Sequence, residues 1–189
     1  GGPVWIGTNT IAGHRFGLDL RGGAATAPVW ISSNTILPLA RDDSRGIYLQ
    51  GLQGGATAQD NSVLWRDSGV FMAAFSEGIW LEGSPNAVVR RNRISWPAVG
   101  TAGSAGFVGV YVRSSPNSQV LANDVHVRSV GETNVYGLIA TNASTGLRLR
   151  HNVFLTSATA QAGFGSSRPV DVEPDSPAGV NSDYNDYVS

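Results

Sequence analysis

Gly78-Ile79-Trp80-Leu81-Glu82-Gly83-Ser84-Pro85-Asn86-Ala87-Val88-Val89-Arg90-Arg91-Asn92-Arg93-Ile94 is answered 31 residues later by Gly109-Val110-Tyr111-Val112-Arg113-Ser114-Ser115-Pro116-Asn117-Ser118-Gln119-Val120-Leu121-Ala122-Asn123-Asp124-Val125. Both stretches run glycine, apolar, variable, apolar, then a Ser-Pro-Asn turn, then an alternating segment, then asparagine two residues before an apolar residue. Fixed-period self-similarity of this kind marks a repeat architecture. Working outward, the asparagine recurs at Asn9, Asn34, Asn61, Asn92, Asn123, Asn152 and Asn185, with Ile11, Ile36, Val63, Ile94, Val125, Phe154 and Tyr187 as partners. Successive spacings of 25, 27, 31, 31, 29 and 33 residues describe a constant unit with one loop of variable length.

The glycine element precedes each internal asparagine by 14 to 17 residues. Its copies are Gly17-Leu18-Asp19-Leu20, Gly46-Ile47-Tyr48-Leu49, the two quoted above, Gly137-Leu138-Ile139-Ala140 and the degenerate Val170-Asp171-Val172. A third alternating stretch stands just before each asparagine, as in Val4-Trp5-Ile6 and Val29-Trp30-Ile31. Each unit thus holds three short segments of period two, which read as β-strands, and no stretch carries apolar residues at helical spacing for three turns. Three strands in about 30 residues cannot bury a core alone, whereas stacked units can.

The expected fold is all-β: a right-handed single-stranded parallel β-helix of about six to seven turns, three strands per turn, spanning 1–189 as one domain. Leu18, Leu20, Ile47, Leu49, Ile79, Leu81, Val110 and Val112 are expected inside as apolar rows, and the asparagines as a ladder, placed there because Asn tolerates the left-handed turn conformation. The chain opens inside a repeat at Gly1-Gly2-Pro3-Val4, so we expect a segment of a longer protein. End-to-end self-association or flanking β-helix turns are expected at its open ends.

Composition excludes several classes. Charged residues are 14% and the net charge is −1; the thirteen basic residues are all arginine, with no basic stripe of the kind that binds nucleic acid. Cysteine is absent, so there is neither a disulfide framework nor a thiolate site. No apolar run reaches membrane-spanning length, and the first residues lack the charged and apolar regions of a signal peptide.

The pattern Gly-apolar-x-apolar, Ser-Pro-Asn, Val-x-x-Asn-x-Ile resembles the parallel β-helix repeats of the pectate lyase-like superfamily. That group holds polysaccharide lyases, polygalacturonases, pectin methylesterases, epimerases, phage tailspikes and surface adhesins. The resemblance covers Val4 to Tyr187 and implies an extracellular or cell-surface location. It speaks to the fold, because the repeat belongs to the scaffold.

In such a solenoid the outward residues of the glycine strand are Asp19, Tyr48, Trp80, Tyr111, Ile139 and Asp171. Tyr48, Trp80 and Tyr111 are expected to form a solvent-facing platform for sugar rings, the alternative being cross-strand packing. Glu82 and Arg113, one position further along, are expected to bind a uronic acid or to form a surface ion pair. A glycosidase carboxylate pair needs a separation of about 5 to 9.5 Å; Asp19 and Asp171, five turns apart, stand about 24 Å apart at the strand spacing.

Asp42 with Asp43, and Asp183 with Asp186, read as turn residues, the alternative being a weak calcium site. His14, His126 and His151 do not converge, and neither a Ser-His-Asp set nor zinc spacing is visible. The lysine base, Gly-His-Gly and Asp-Pro-His-Asp patterns of enzymatic relatives are missing, so the catalytic residues are unknown and no cofactor or metal is expected. Loops beginning Leu64-Trp65-Arg66-Asp67 and Ser95-Trp96-Pro97, together with Thr101 to Gly106 and Ala158 to Ser167, are expected to rim the aromatic face. The first expectation is therefore a non-catalytic extracellular scaffold contacting a polysaccharide through the aromatic strip. The alternative is part of a lyase or glycoside hydrolase acting on acidic polysaccharide.

Overall fold

A computed structural model describes residues 2–22, 27–39, 43–65, 75–97, 106–130, 134–159 and 166–189. The first repeat contributes β1 (Val4–Gly7), β2 (Thr10–Ala12) and β3 (Phe16–Arg21). β4 (Val29–Ser32), β5 (Thr35–Leu37) and β6 (Arg45–Gln50) follow, then β7 (Ala56–Gln59), β8 (Ser62–Leu64) and β9 (Ser76–Glu82). The next two repeats give β10 (Val88–Arg90), β11 (Arg93–Trp96), β12 (Gly106–Arg113), β13 (Gln119–Leu121), β14 (Asp124–Val130) and β15 (Asn134–Thr141). β16 (Arg148–Arg150), β17 (Val153–Thr159), β18 (Ser167–Val172), β19 (Asn181–Asp183) and β20 (Asp186–Val188) complete the chain. No helix occurs among the described residues, so none is long and apolar enough to cross a membrane.

Every third strand pairs in parallel with its counterpart one repeat away. Two sheets of seven strands and one of six result, so the chain is a parallel β-solenoid. The expected rows fall in register: Leu18 opposite Ile47, Ile47 opposite Ile79 and Ile79 opposite Val110. Ile31, Ile36, Ile47, Leu49, Val63, Ile79, Leu81, Val89, Ile94, Val110, Val112, Val120, Val125 and Leu138 are fully buried along the axis.

The closed part is shorter than the six to seven turns expected. About four turns, β4 to β6, β7 to β9, β10 to β12 and β13 to β15, bury inward side chains on all three strands. In the outer repeats Leu18, Leu20, Val170 and Val172 are only partly buried, their strands β3 and β18 being paired on one side only among the described residues.

Two ladders hold the corners. Asn92 Nδ2 donates to Asn123 Oδ1 at 3.0 Å and to the Ala58 carbonyl at 2.9 Å, while Asn61 donates its own N–H and amide to Asn92 Oδ1. The same geometry runs from Asn9 to Asn185.

The left-handed residue is not the asparagine, as expected, but the one before it: Thr8, Ser33, Asp60, Arg91, Ala122, His151 and Tyr184 have φ of 51–57°. The preceding residue makes the corner, and the asparagine then projects its amide along the stack. At a second corner Ser84 and Ser115 of the Ser-Pro-Asn turns join Ser144 and Ser176 in another ladder, with Ser84 N–H on Ser115 Oγ, Ser115 N–H on Ser144 Oγ and Ser144 N–H on Ser176 Oγ.

The glycine of each motif is dictated by close approach. A Cβ on Gly46 would lie 2.5 Å from the Gly78 carbonyl oxygen, and one on Gly78 would lie 2.3 Å from that of Gly109. The ladder pairs Glu77 with Val108 and Ile79 with Val110. Because Ser76, Ile79 and Leu81 all reach the interior, both Glu77 and Trp80 point outward on either side of Gly78.

Candidate functional site

The outer face of the six-stranded sheet carries three rows in register. Arg45, Glu77 and Val108 form one; Tyr48, Trp80 and Tyr111 the second; Gln50, Glu82 and Arg113 the third. All five residues expected at the site, Tyr48, Trp80, Tyr111, Glu82 and Arg113, are therefore neighbours. The Tyr48 and Trp80 ring centres are 5.0 Å apart and tilted, and those of Trp80 and Tyr111 are 5.2 Å apart and stacked. Arg113 Nη1 lies 3.6 Å from Glu82 Oε1, a partly exposed pair.

The platform does not lie open to solvent as expected. Tyr48 is 4% exposed and Trp80 8%, and of the three rings Tyr111 alone is half-buried. Arg45 accounts for much of this: its guanidinium carbon sits 3.9 Å from the Trp80 ring centre and 4.5 Å from that of Tyr48. The Tyr48 hydroxyl donates a short hydrogen bond to the Glu82 carboxylate, which also draws Gln50 Nε2 to 3.5 Å. Burial, then this bond to an anion, pushes the Tyr48 hydroxyl up to about 12.

Arg45 and Glu77 were not read from the sequence as site residues. Each stands immediately before the motif glycine, as do Phe16, Val108 and Tyr136, and that shared offset was the available signal. Arg45 Nη2 binds Asp43 Oδ1 at 2.6 Å, and its Nε is 3.5 Å from Glu77 Oε2. The Glu77 side chain is 4% exposed. Burial pushes its carboxyl up to about 8 against the opposing pull of Arg45, with Asp43 adding to the rise. The rise favours the protonated carboxyl, and the 3.5 Å contact with Arg45 is long for a charge-assisted bond.

Elsewhere, Asp19 is held by both arms of Arg21 at 2.9 Å, and Asp183 and Asp186 lie on the exposed β19 and β20. Among the described residues no group of three acidic, histidine or cysteine side chains gathers as for a metal ion. Asp42, Arg66, Asp67 and the expected rim residues 101–105 and 160–165 lie outside the described residues. No protein-family model, curated protein or solved structure matches the chain. The class rests on geometry alone: a parallel β-solenoid with an asparagine ladder.

Proposed function

We propose that this chain is a non-catalytic scaffold of an extracellular or cell-surface protein, a right-handed β-helix of the pectate lyase-like kind, that contacts a glycan at the Tyr111 end of its aromatic row. The hand follows from the strong right-handed preference of crossovers between parallel strands of one sheet. Superfamily and location rest on the repeat's resemblance. One observation carries the contact: the stacked rings of Trp80 and Tyr111 end at a half-buried phenol, with Arg113 and Glu82 in the adjoining row. Arg113, 42% exposed along its side chain, is available to a uronate carboxylate, for which a guanidinium is suited.

The enzymatic reading has one observation in its favour. Glu77, with a carboxyl near neutrality, shares the face with Arg45, and shifted groups of this kind gather at active sites. Glu77 is 3% exposed and Arg45 is held by Asp43, so neither is offered to a polymer, and the scaffold reading is preferred.

Stacking of the end repeats on flanking turns or on a second copy belongs to the same proposal. β1 and β19 each pair on one side only among the described residues. A concentration-independent monomer in sedimentation would remove the second-copy form.

Affinity electrophoresis through gels containing polygalacturonate or alginate tests the contact. Retardation that is lost in Tyr111→Ala and Arg113→Ala supports it. Equal mobility of wild type and variants in both gels leaves this face as scaffold. Release of new reducing ends from either polymer would revive the enzymatic reading.

A further inference from the structure

An aromatic pair that does reach solvent lies on a different sheet. Trp30 occupies the middle of β4, between the inward Val29 and Ile31, and Trp5 stands opposite it on β1. Their rings are 4.6 Å apart at 17°, stacked face to face. Trp30 also forms a wall of a recess of about 270 Å³, with Pro28, Gln53, Gly55, Thr57 and Asn86 around it. Thr57 is the residue next to Trp30 across the sheet. Gln53 and Asn86 are exposed and come from the turns that open β7 and β10. A Cβ on Gly55 would meet nothing nearer than 4.0 Å, so the space above that turn is open.

We propose that this recess binds a neutral sugar ring of a polysaccharide chain. The volume is close to the lower bound of small-molecule sites, roughly 300 Å³, which suits a single ring. An indole offers a flat apolar face with a negative quadrupole, complementary to the C–H face of a pyranose. Two amides and one hydroxyl supply both donors and acceptors, as a ring of hydroxyls requires. Gln53 is already fixed by its Nε2 bond to the Gly83 carbonyl at 2.9 Å, which lowers the entropy lost on binding. Among the described residues no charged side chain lines the recess, and that sets it apart from the Arg113 and Glu82 face and selects neutral over acidic sugars. The stacked Trp5 ring backs the Trp30 indole on the side away from Thr57 and holds it in place. The site lies on another sheet from Tyr111, so it stands or falls separately from the contact proposed there.

The test is affinity electrophoresis through glucomannan, dextran and hydroxyethyl cellulose, with polygalacturonate and poly-L-proline as contrasting probes, and titration of tryptophan fluorescence with cellohexaose and mannohexaose. Retardation by at least one neutral polysaccharide is expected. Trp30→Ala is expected to weaken it about tenfold, Gln53→Ala to weaken it less, and Tyr111→Ala to leave it unchanged. Thermal melting of each variant checks its fold. If Trp30→Ala does not fold, the Gln53→Ala shift and the change in wild-type fluorescence on adding either hexaose decide the matter. No retardation in any neutral gel, retardation indifferent to both Trp30→Ala and Gln53→Ala, or binding confined to polygalacturonate or poly-L-proline would overturn the proposal.

Discussion

The guanidinium carbon of Arg45 lies 3.9 Å from the centre of the Trp80 ring, and the same group reaches the rings of Tyr48 and Phe16 at 4.5 and 5.3 Å. One planar cation therefore ties together three strands of the six-stranded sheet from outside, with Asp43 balancing its charge. Desolvated cation–π contacts contribute about 2 kcal/mol, and the stem of the side chain adds packing. Arg45→Ala is expected to lower unfolding stability by about 2 to 3 kcal/mol in urea titrations. Arg45→Lys should recover only part of this, because an ammonium lacks the flat surface that lies against the indole.

Glu77 makes stability depend on pH in an uncommon sense for a carboxylate. Its carboxyl titrates at about 8 in the folded chain against an ordinary value of 4.5. Between those values the folded protein holds a proton that the unfolded chain has lost, so the group's contribution is complete below about pH 4.5 and disappears as pH rises through about 8. Glu77→Gln keeps the shape without the charge. The variant should match the wild type in urea melts below about pH 4.5 and exceed it by a margin that grows as pH rises to about 8. A wild-type curve with the same slope as the variant across that window would refute the assignment.

The asparagine ladder should show a gradient from centre to edge. Asn92 is 2% exposed, and its removal takes the side-chain partner from the Asn61 N–H, from the Ala58 carbonyl and from one of the two amide hydrogens of Asn61, the other being held by the Ile31 carbonyl. Unsatisfied buried groups cost about 1 to 3 kcal/mol each. Asn92→Ala is expected to lose about 3 kcal/mol or more, and Asn9→Ala, at an exposed end, less than about 1 kcal/mol. Chemical denaturation of the two variants side by side measures the difference.

Gly109 admits no side chain. A Cβ there would fall 2.2 Å from Val125 Cγ1 and 2.6 Å from the Gly137 carbonyl oxygen, and the backbone of the adjoining turn cannot yield without breaking the ladder. Gly109→Ala is expected to lower the melting temperature sharply, through a loss of about 3 kcal/mol. Gly83→Ala is the control: its Cβ would meet nothing within 4 Å, and only its φ of 55° opposes the change, at about 1 kcal/mol.

Ala122 tests the corner. It is exposed with φ of 53°, a conformation that a β-branched side chain scarcely adopts. Ala122→Val should cost more than about 1 kcal/mol, while Ala122→Asn should be neutral or stabilising, as thermal melts would report.

The repeat was legible because its constraints are local and recur. Steric exclusion at Gly46, Gly78 and Gly109, inward alternation at Ile79 and Leu81, and the ladder at Asn92 each leave the same residue type at the same place in successive units. The left-handed position escaped notice because Thr8, Ser33, Asp60, Arg91, Ala122, His151 and Tyr184 share a backbone angle but no chemistry. Arg45 and Glu77 escaped because their row runs Phe16, Arg45, Glu77, Val108, Tyr136 and Arg168, with no residue type shared by adjacent repeats, and a periodic reading discounts what does not recur.

The sequence by itself determined the stacking order: which strands pair, which residues face inward, and that Tyr48, Trp80 and Tyr111 share one row. Parallel coiling at a near-constant period leaves no other register that keeps Ile47, Ile79 and Val110 inside. Only the tertiary structure decided which outward residues meet solvent. Trp80 and Trp30 both alternate with core residues on their strands, yet the first lies beneath Arg45 and the second opens onto a recess. Outward direction is a property of one strand, whereas exposure depends on what the neighbouring turns place above it.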